Sequence, residues 1–399
     1  SVLERDWNRY LEDVARANKL ICNIDLVTDN SLTTAERAQY KAEAKIFRAM
    51  VMFDMVRLWG DFPVITTVAD DITSENIDEV YPQYFPKQNT ELEAYQQIEK
   101  DLLDAVLYAP DNTPGNKTLF SKSVARTLLA KIYAEKPLRD YTKVIQYCDE
   151  VKADGFDLVD DFSDLFGMNA AGTDAKMRNT KESILEAQFT SGAGNWCTWM
   201  FGRDLVNWNN NFTWAKWVTP SRDLISAFKQ EGDEVRFKES IVYYDCNWSN
   251  YYPSDNYPFM YKCRSANSSI IKYRYADVLL LKAEALIMQD TPDLEGAADI
   301  IDEVRDRAKL GALPTSVRSN KNAMLNALLK ERRLELAFEG QRWFDLVRLD
   351  KVEEVMNAVY AKDSGRKAQI YTFDKNSYRL PIPQSVIDAN DKIHQNPGY

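Results

Sequence analysis

The feature that most constrains the fold of this chain is a helical hairpin that occurs twice, at an offset of about 153 residues. The two copies are SKSVARTLLAKIYAEKPLRDYTKVIQYCDEVKADG and YRYADVLLLKAEALIMQDTPDLEGAADIIDEVRDRAKLG, which align without a gap. The first copy predicts one helix through Glu135, a turn at Lys136-Pro137-Leu138 and a second helix from Asp140. The second copy has the same plan around Pro292 and Asp293.

Matching positions of the two hairpins are chemically similar. The pairs are Leu128 with Leu281, Ala130 with Ala283, Asp140 with Asp293, and Asp149-Glu150-Val151 with Asp302-Glu303-Val304. Small residues inside such hairpins let helices approach closely, as in tetratricopeptide-like units. The sequence therefore predicts an all-α fold in which tetratricopeptide-like helix pairs form a scaffold.

A third helical region is TTAERAQYKAEAKIFRAMVMFDMVRLWGDFP. Thr33 or Thr34 is a suitable N-cap, and Gly60 and Pro63 are expected to end the helix. One apolar stripe is expected to bury the following residues: Tyr40, Ala44, Phe47, Met50, Met55 and Leu58.

The segment LLKERRLELAFEGQRWFDLVRL predicts two further helices, with a bend at Gly340. Glutamates recur every four residues and arginines are interleaved with them, which predicts ion pairs along one face. These residues are Glu331, Glu335 and Glu339 with Arg332, Arg333 and Arg342. A catalytic role for Glu331 or Glu335 is the alternative, but alternating charges on a helix more often form a structural network.

Residues 156–270 differ from the helical regions. This part is rich in Gly, Asn, Ser and Pro, and SRDLISAFKQEG is its one segment with sustained helical periodicity. Its tryptophans are Trp196, Trp199, Trp208, Trp214, Trp217 and Trp248. We expect a loop-rich lobe inserted on the scaffold.

The lobe supplies the candidate ligand-binding residues. A sugar ring has an apolar C–H face and a rim of hydroxyls, so its site needs flat aromatic surfaces beside amides and carboxylates. The segment NWNNNFTWAKW provides both kinds of group. The candidates are Trp208, Trp214, Trp217, Asn209, Asn211, Trp248 and Tyr252. Each tryptophan taken alone is more often a core residue than a platform, since large aromatics are mostly buried.

Charge and composition exclude several function classes. The 50 basic and 61 acidic residues give a formal charge of -11, which repels phosphate backbones and argues against nucleic acid. The chain has one histidine, His394, and its five cysteines lack metal-ligand spacing, so no cofactor or metal is predicted. The acidic run at 159–164 lacks the spacing of a calcium loop. Cys246 and Cys263 are candidates either for a disulfide or for free buried thiols.

Five ordered segments resemble the SusD/RagB family of surface nutrient-binding lipoproteins of Bacteroidetes. They are ERAQYKAEAKIFRAMVMFDMVRLWGDFPVI, NTKESILEAQF, IIKYRYADVLLLKAEALI, LLKERRLELAFEGQRWFDLVRL and YRLPIPQSVIDANDKIHQNPGY. Members of the family typically carry a further N-terminal stretch that begins at a lipidated cysteine. We expect that stretch, and the lipid anchor on it, to lie outside the 399 residues.

The resemblance implies a single SusD-like domain over residues 1–399. Its parts would be a helical scaffold at 1–155 and 271–350, the loop-rich aromatic lobe at 156–270, and an extended C-terminal tail at 370–399 that is pinned to the body, with His394 in that packing. The family's role implies a non-catalytic protein on the outward face of the outer membrane, which captures oligosaccharides and delivers them to a SusC-type TonB-dependent transporter.

Three other functions remain open from the sequence. Some branches of the family bind peptides, and the sequence does not separate a peptide ligand from a glycan. An α-helical glycoside hydrolase or lyase would need two carboxylates flanking the scissile bond, and none falls in a recognisable catalytic motif. A purely structural repeat protein would not require the long aromatic insertion.

Overall fold

The computed structural model describes residues 1–190, 194–195, 219–246, 250–363 and 372–399. Their helices are α1 (Val2–Asn23), α2 (Thr34–Trp59), α3 (Ile77–Val80), α4 (Glu91–Tyr108), α5 (Lys122–Ala134), α6 (Tyr141–Ala153), α7 (Ser163–Phe166), α8 (Arg222–Glu231), α9 (Glu234–Ser240), α10 (Tyr275–Met288), α11 (Leu294–Arg307), α12 (Thr315–Arg318), α13 (Lys321–Glu335), α14 (Arg342–Arg348), α15 (Val352–Lys362) and α16 (Gln384–Ala389). Their strands are β1 (Ser183–Ala187), β2 (Ile241–Tyr244), β3 (Tyr257–Met260) and β4 (Ile270–Arg274). The described chain is mostly helical, as predicted.

Contacts divide the chain into two compact units. Unit 1 comprises Ser1–Asn112, Leu119–Tyr147 and Phe373–Tyr399. Unit 2 comprises Thr113–Thr118 and Cys148–Thr372. The predicted division into scaffold, lobe and tail follows different boundaries and stays a prediction.

The two hairpins predicted from the repeat are present. Helices α5 and α6 are offset by 153 residues from α10 and α11, within one residue at each end. The same backbone hydrogen bond closes both turns: the Asp140 N–H donates to the Tyr133 carbonyl, and the Asp293 N–H donates to the Leu286 carbonyl, each at 2.9 Å. Each aspartate also accepts the N–H three residues later, at 3.1 Å for Asp140 and 2.9 Å for Asp293. The sequence repeat is therefore a structural repeat.

Helix α2 is the central helix of unit 1. It begins after Thr33, whose side chain and Glu36 form a reciprocal capping box, and it ends at Gly60, whose φ of 75° favours glycine. The single buried stripe predicted for it is wrong, because Tyr40 is 44% exposed while Met52 and Phe53 are fully buried. The reason is that α2 packs against α1 on one side and α4 on another, so more than one face is covered.

A buried ion pair ties these helices together. Arg48 on α2 makes a bidentate contact with Asp101 on α4, with N–O distances of 2.8 and 2.6 Å. The same guanidinium donates to the Asn18 side chain on α1 at 2.7 Å. Bidentate pairs fix geometry as well as charge, so this contact sets how α1, α2 and α4 meet.

The C-terminal residues are pinned to unit 1 by hydrogen bonds. The Leu380 N–H donates to the Leu58 carbonyl at 2.7 Å, and the Asn396 side chain donates to the Trp59 carbonyl at 2.8 Å. The segment is not wholly extended, because it contains α16. The expectation for His394 is only half right: its backbone N–H donates to Gln88 at 2.8 Å, but its side chain is exposed.

Unit 2 is organised around a buried charge network on α13. The Glu335 carboxylate accepts hydrogen bonds from Arg236 at 3.0 Å, from Arg274 at 2.5 Å and from Arg307. Burial opposes ionisation, yet Arg307, Arg274 and Arg236 together hold the pKa of this carboxyl well below its usual range. Gly340 has a φ of 74° in the bend before α14, as predicted.

Several short elements of unit 2 were not predicted. Strands β1 and β4 pair antiparallel, and so do β2 and β3, within or beside the region expected to be loops. Helix α9 was also missed, whereas α8 follows the predicted helix, with Ser221 as its N-cap and Gly232 after its end. Cys246 and Cys263 are both buried and are not joined in a disulfide, so the disulfide alternative is wrong.

Candidate ligand-binding surface

Most of the predicted ligand-binding residues lie outside the described part of the chain. These are Trp208, Trp214, Trp217, Asn209, Asn211 and Trp248. Tyr252 is the predicted residue that the structure describes, and it is half-buried. The role of all seven in ligand binding stays a prediction.

Tyr252 belongs to a cluster of three tyrosines in unit 2. Its ring meets the rings of Tyr251 and Tyr257 edge-on, with centroid distances of 5.0 and 5.5 Å. Its hydroxyl donates to the Pro220 carbonyl at 2.7 Å. Burial, reinforced by Tyr251, raises the pKa of Tyr252, so the hydroxyl stays protonated as a donor. This tyrosine cluster therefore has a fixed geometry.

Arg222 completes the cluster. Its guanidinium carbon lies 4.1 Å from the Tyr251 ring centroid and 4.6 Å from that of Tyr252. Its Nη1 is 3.0 Å from Asp363, and the Tyr251 hydroxyl donates to the same carboxylate at 2.8 Å. Cation–π and charge-assisted contacts of this kind hold rings in a defined orientation.

Sequence reasoning missed Arg222 and Asp363. They are separated by 141 positions, and neither belongs to a motif. Asp363 immediately follows α15, so its position depends on the packing of unit 2 rather than on local pattern. Arg222, which is paired with Asp363, therefore lies against one side of the Tyr252 ring.

Unit 1 carries a second group of aromatic residues, and this one is exposed. Tyr81 is 52% exposed and Tyr84 is 49% exposed, in a one-turn 3-10 helix at Tyr81–Tyr84. The Phe85 ring lies 4.9 Å from that of Tyr81, and the Tyr84 hydroxyl donates to the Asp70 carbonyl at 3.0 Å. The exposed Gln83 lies between them in sequence. The aromatic run in YPQYF was a signal that our sequence analysis did not use.

The glutamates of α13 are structural. Glu331 is 2% exposed and Glu335 is fully buried, and both are ion-paired with Arg236. A catalytic acid or base needs an open side that faces substrate. The buried network leaves neither carboxylate with a side open to substrate, which agrees with the structural role expected for this motif.

The acidic run at 159–164 is occupied by a side chain of the protein itself. Lys176 lies 3.0 Å from Asp161 and 2.6 Å from Asp164. A hydrogen bond from the Ser163 N–H, together with Lys176, lowers the pKa of Asp161 to about 2. Among the described residues, no group of three potential metal ligands was found.

Two family models match the chain. One, described as the SusD family, matches residues 260–399. The other, described as starch-binding and associating with the outer membrane, matches residues 2–134. The chain therefore resembles SusD-family proteins through both of these segments. Every helix among the described residues is too short or too polar to span a lipid bilayer.

Relatives of the SusD/RagB family match along most of the chain. SusD-like protein P2 of Formosa agariphila is 28% identical over 98% of this chain and 80% of its own length. The starch-binding protein SusD of Bacteroides thetaiotaomicron is 24% identical over 94% of this chain and 76% of its own.

Solved structures of the SusD superfamily share the fold. A superfamily protein from Parabacteroides distasonis gives a TM-score of 0.77 at 23% identity, covering 100% of this chain and 86% of its own. A laminarin-binding SusD-like protein gives a TM-score of 0.71 at 25% identity, covering 99% of this chain and 85% of its own. The fold therefore extends over essentially the whole chain.

Proposed function

We propose that this SusD-like chain is a non-catalytic glycan-binding protein of the cell surface. It captures oligosaccharides and delivers them to a SusC-type TonB-dependent transporter, and a lipid anchor holds it at the outer membrane. Similarity to SusD-like proteins supports the proposal, because one matching model is described as starch-binding and one structural relative is described as laminarin-binding.

The observation that carries the glycan assignment is the exposure of two neighbouring tyrosines, Tyr81 and Tyr84. Large aromatic side chains on a surface, beside amide and carbonyl groups, present the flat apolar face and the hydrogen-bond partners that a sugar needs. The tyrosine cluster around Tyr252 adds a second aromatic region in unit 2. We also propose that Trp208, Trp214, Trp217 and Trp248, with Asn209 and Asn211, contribute stacking and hydrogen bonds.

Calorimetric titration of the wild type and of the double variant Tyr81→Ala/Tyr84→Ala with maltohexaose and laminarihexaose tests this role. Each lost aromatic contact is worth about 0.5–1.5 kcal/mol, so the double variant is expected to bind about tenfold more weakly. Tyr108→Ala is the matched control, because Tyr108 is 54% exposed in the same unit but lies at the end of α4. Equal loss in the control, or no loss in the double variant, contradicts the assignment of these rings.

Delivery to a transporter has a separate test. The lipid-anchored protein is co-expressed with a SusC-type transporter from the same genome, and the two are purified through a tag on one of them. The proposal expects both chains in one detergent-stable complex. Recovery of the tagged chain alone contradicts the partnership without affecting the glycan-binding claim.

A further inference from the structure

Unit 2 contains a groove of about 520 Å³ next to the tyrosine cluster. Helices α8, α13 and α15 line it with these residues: Arg222, Asp223, Ser226, Ala227, Gln230, Lys330, Arg333, Val359, Lys362 and Asp363. The volume falls within the range of about 300–1,000 Å³ that is usual for small-molecule sites. We call this the basic groove.

The charged residues of the basic groove are arranged by depth. The carboxylates are the more buried groups, since the side chains of Asp223 and Asp363 are 14% and 7% exposed. The lysine side chains are the more exposed groups, at 47% for Lys330 and 64% for Lys362. A ligand in the groove therefore meets ammonium and guanidinium groups before it meets a carboxylate.

The ion pairs do not neutralise the groove. Four cations line it (Arg222, Lys330, Arg333 and Lys362) against two carboxylates, which is an excess of two positive charges among the described residues. Asp223 is shared by Arg333 at 2.6 Å and Lys362 at 2.5 Å. Lys330 also pairs with Glu231, which does not line the groove, so counting this carboxylate leaves four cations against three carboxylates and an excess of one positive charge.

The positive charge of the groove is opposite in sign to the net charge of the whole protein. The formal charge of -11 disfavours strongly anionic glycans at long range. At physiological ionic strength, however, exposed charges are screened beyond about 8 Å, so a bound group responds mainly to the charges that line its site. The groove therefore favours an anion on a chain that is acidic overall.

We propose that the basic groove binds the anionic substituent of an acidic oligosaccharide, either a uronate carboxylate or a sulfate ester. Lys330 and Lys362 would hold the anion as mobile ammonium donors, while Arg333 is fixed beneath them by Asp223. The exposed Ser226 and Gln230 on α8 offer partners for neighbouring sugar hydroxyls. The inference rests on the proposed glycan-binding function and names the ligand class for it.

Arg222 connects this groove to an aromatic surface. Its guanidinium lines the groove and also lies 4.1 Å from the Tyr251 ring centroid. A sugar unit beside the anionic one would thus lie near a ring, as sugar recognition requires. Arg222 thus links the tyrosine cluster to a groove that itself supplies charge, an amide and a hydroxyl.

The test uses Lys330→Gln/Lys362→Gln, which removes both exposed ammonium groups. Neither change leaves a buried carboxylate unpaired, because Arg305 still pairs with Glu231 and Arg333 still pairs with Asp223. Lys229→Gln is the matched control: Lys229 is exposed on the same helix α8 but does not line the groove. Thermal unfolding verifies that all three proteins are folded.

Calorimetric titration is carried out with oligogalacturonate, sulfated carrageenan oligosaccharide, neutral maltohexaose and laminarihexaose, and an oligoglutamate peptide. We expect the wild type to bind an acidic glycan more tightly than the neutral ones. The affinity for the acidic glycan is expected to be about tenfold or more weaker in the double variant and unchanged in the control. Added salt is expected to weaken the binding of the acidic glycan and to leave the binding of neutral glycans unchanged. If only the oligogalacturonate binds, the anion held by the groove is a carboxylate. If the carrageenan fragment binds, that anion is a sulfate ester.

Three results overturn the inference. If neutral glycans bind as well as acidic ones and the double variant changes nothing, the proposed function stands and the anionic ligand class is wrong. If the oligoglutamate binds through Lys330 and Lys362 and no glycan does, the groove is a peptide site. If no glycan and no peptide binds, the inference and the proposed function fail together.

Discussion

Replacement of Glu335 by glutamine tests the claim that a buried charge network holds unit 2 together. The Glu335 side chain is fully buried and its two oxygens face three guanidinium groups, from Arg236, Arg274 and Arg307. Glutamine has the same shape but no charge. Whichever way the amide is turned, its NH₂ faces a guanidinium donor, so at least one contact becomes donor against donor.

The expected cost is large. Removing one partner of a buried ion pair costs about 3–5 kcal/mol, since the remaining charge is left buried and uncompensated. If the free energy of unfolding falls by about 3 kcal/mol per molar urea, the urea midpoint of unfolding falls by about 1–1.7 M. The assay is urea unfolding followed by circular dichroism, for the wild type and for Glu335→Gln.

Glu354→Gln is the matched control. Glu354 is 67% exposed and pairs with Lys351 at 2.6 Å, so its replacement is expected to change the free energy of unfolding by less than about 1 kcal/mol. A loss below about 1 kcal/mol for Glu335→Gln would refute the network reasoning, because it would equal the effect of a solvated pair.

The contribution of Glu335 to the free energy of unfolding is expected to depend on pH. The folded pKa of Glu335 is depressed, so its contribution to the free energy of unfolding is fully present above the unfolded value of 4.5 and is lost as pH falls toward the folded value. The difference in free energy of unfolding between the wild type and Glu335→Gln is therefore expected to decrease as pH falls below about 4.5. A gap that stays constant down to the acid unfolding transition contradicts the assigned shift.

Three further outcomes are expected. Trp214→Ala and Trp217→Ala should each weaken binding of the glycan ligand and leave the thermal unfolding midpoint nearly unchanged; a large drop in midpoint would identify core residues instead. Cys22 is exposed whereas Cys148, Cys246 and Cys263 are buried, so among these four only Cys22 should react rapidly with a thiol reagent before denaturation; fast reaction of the other three contradicts their burial. Gly60→Ala should destabilise unit 1 by about 1 kcal/mol or more in urea unfolding, because φ is 75° there; an unchanged midpoint contradicts the assigned backbone strain.

The helical scaffold was predictable because its signals are local. The caps at Thr33 and Asp140 and the bend at Gly340 each depend on a few neighbouring residues, and the hairpin repeat could be aligned directly. The strands were not predictable in the same way. Strand β1 pairs with β4 through contacts such as Ser183 with Arg274, which lie far apart in sequence.

The candidate site was less predictable for a related reason. Aromatic composition pointed to the lobe and to Tyr252, but the charge that orients its ring comes from Arg222 and Asp363. These two residues meet only through the packing of α8 and the end of α15. The exposed Tyr81 and Tyr84 follow the short helix α3, which was not predicted from the sequence, and their exposure could not be inferred from composition.

Binding combined with recovery of the ligand shows whether the protein holds a glycan without cleaving it. The protein is titrated calorimetrically with maltohexaose, laminarihexaose and an acidic hexasaccharide, and each sugar is then recovered and analysed for chain length and new reducing ends. A glycan-binding protein without catalytic activity predicts saturable binding of at least one glycan and its recovery intact. Shortened products with new reducing ends would show catalysis, and saturable binding of a peptide with no response to any glycan would show that the protein is not a glycan-binding protein.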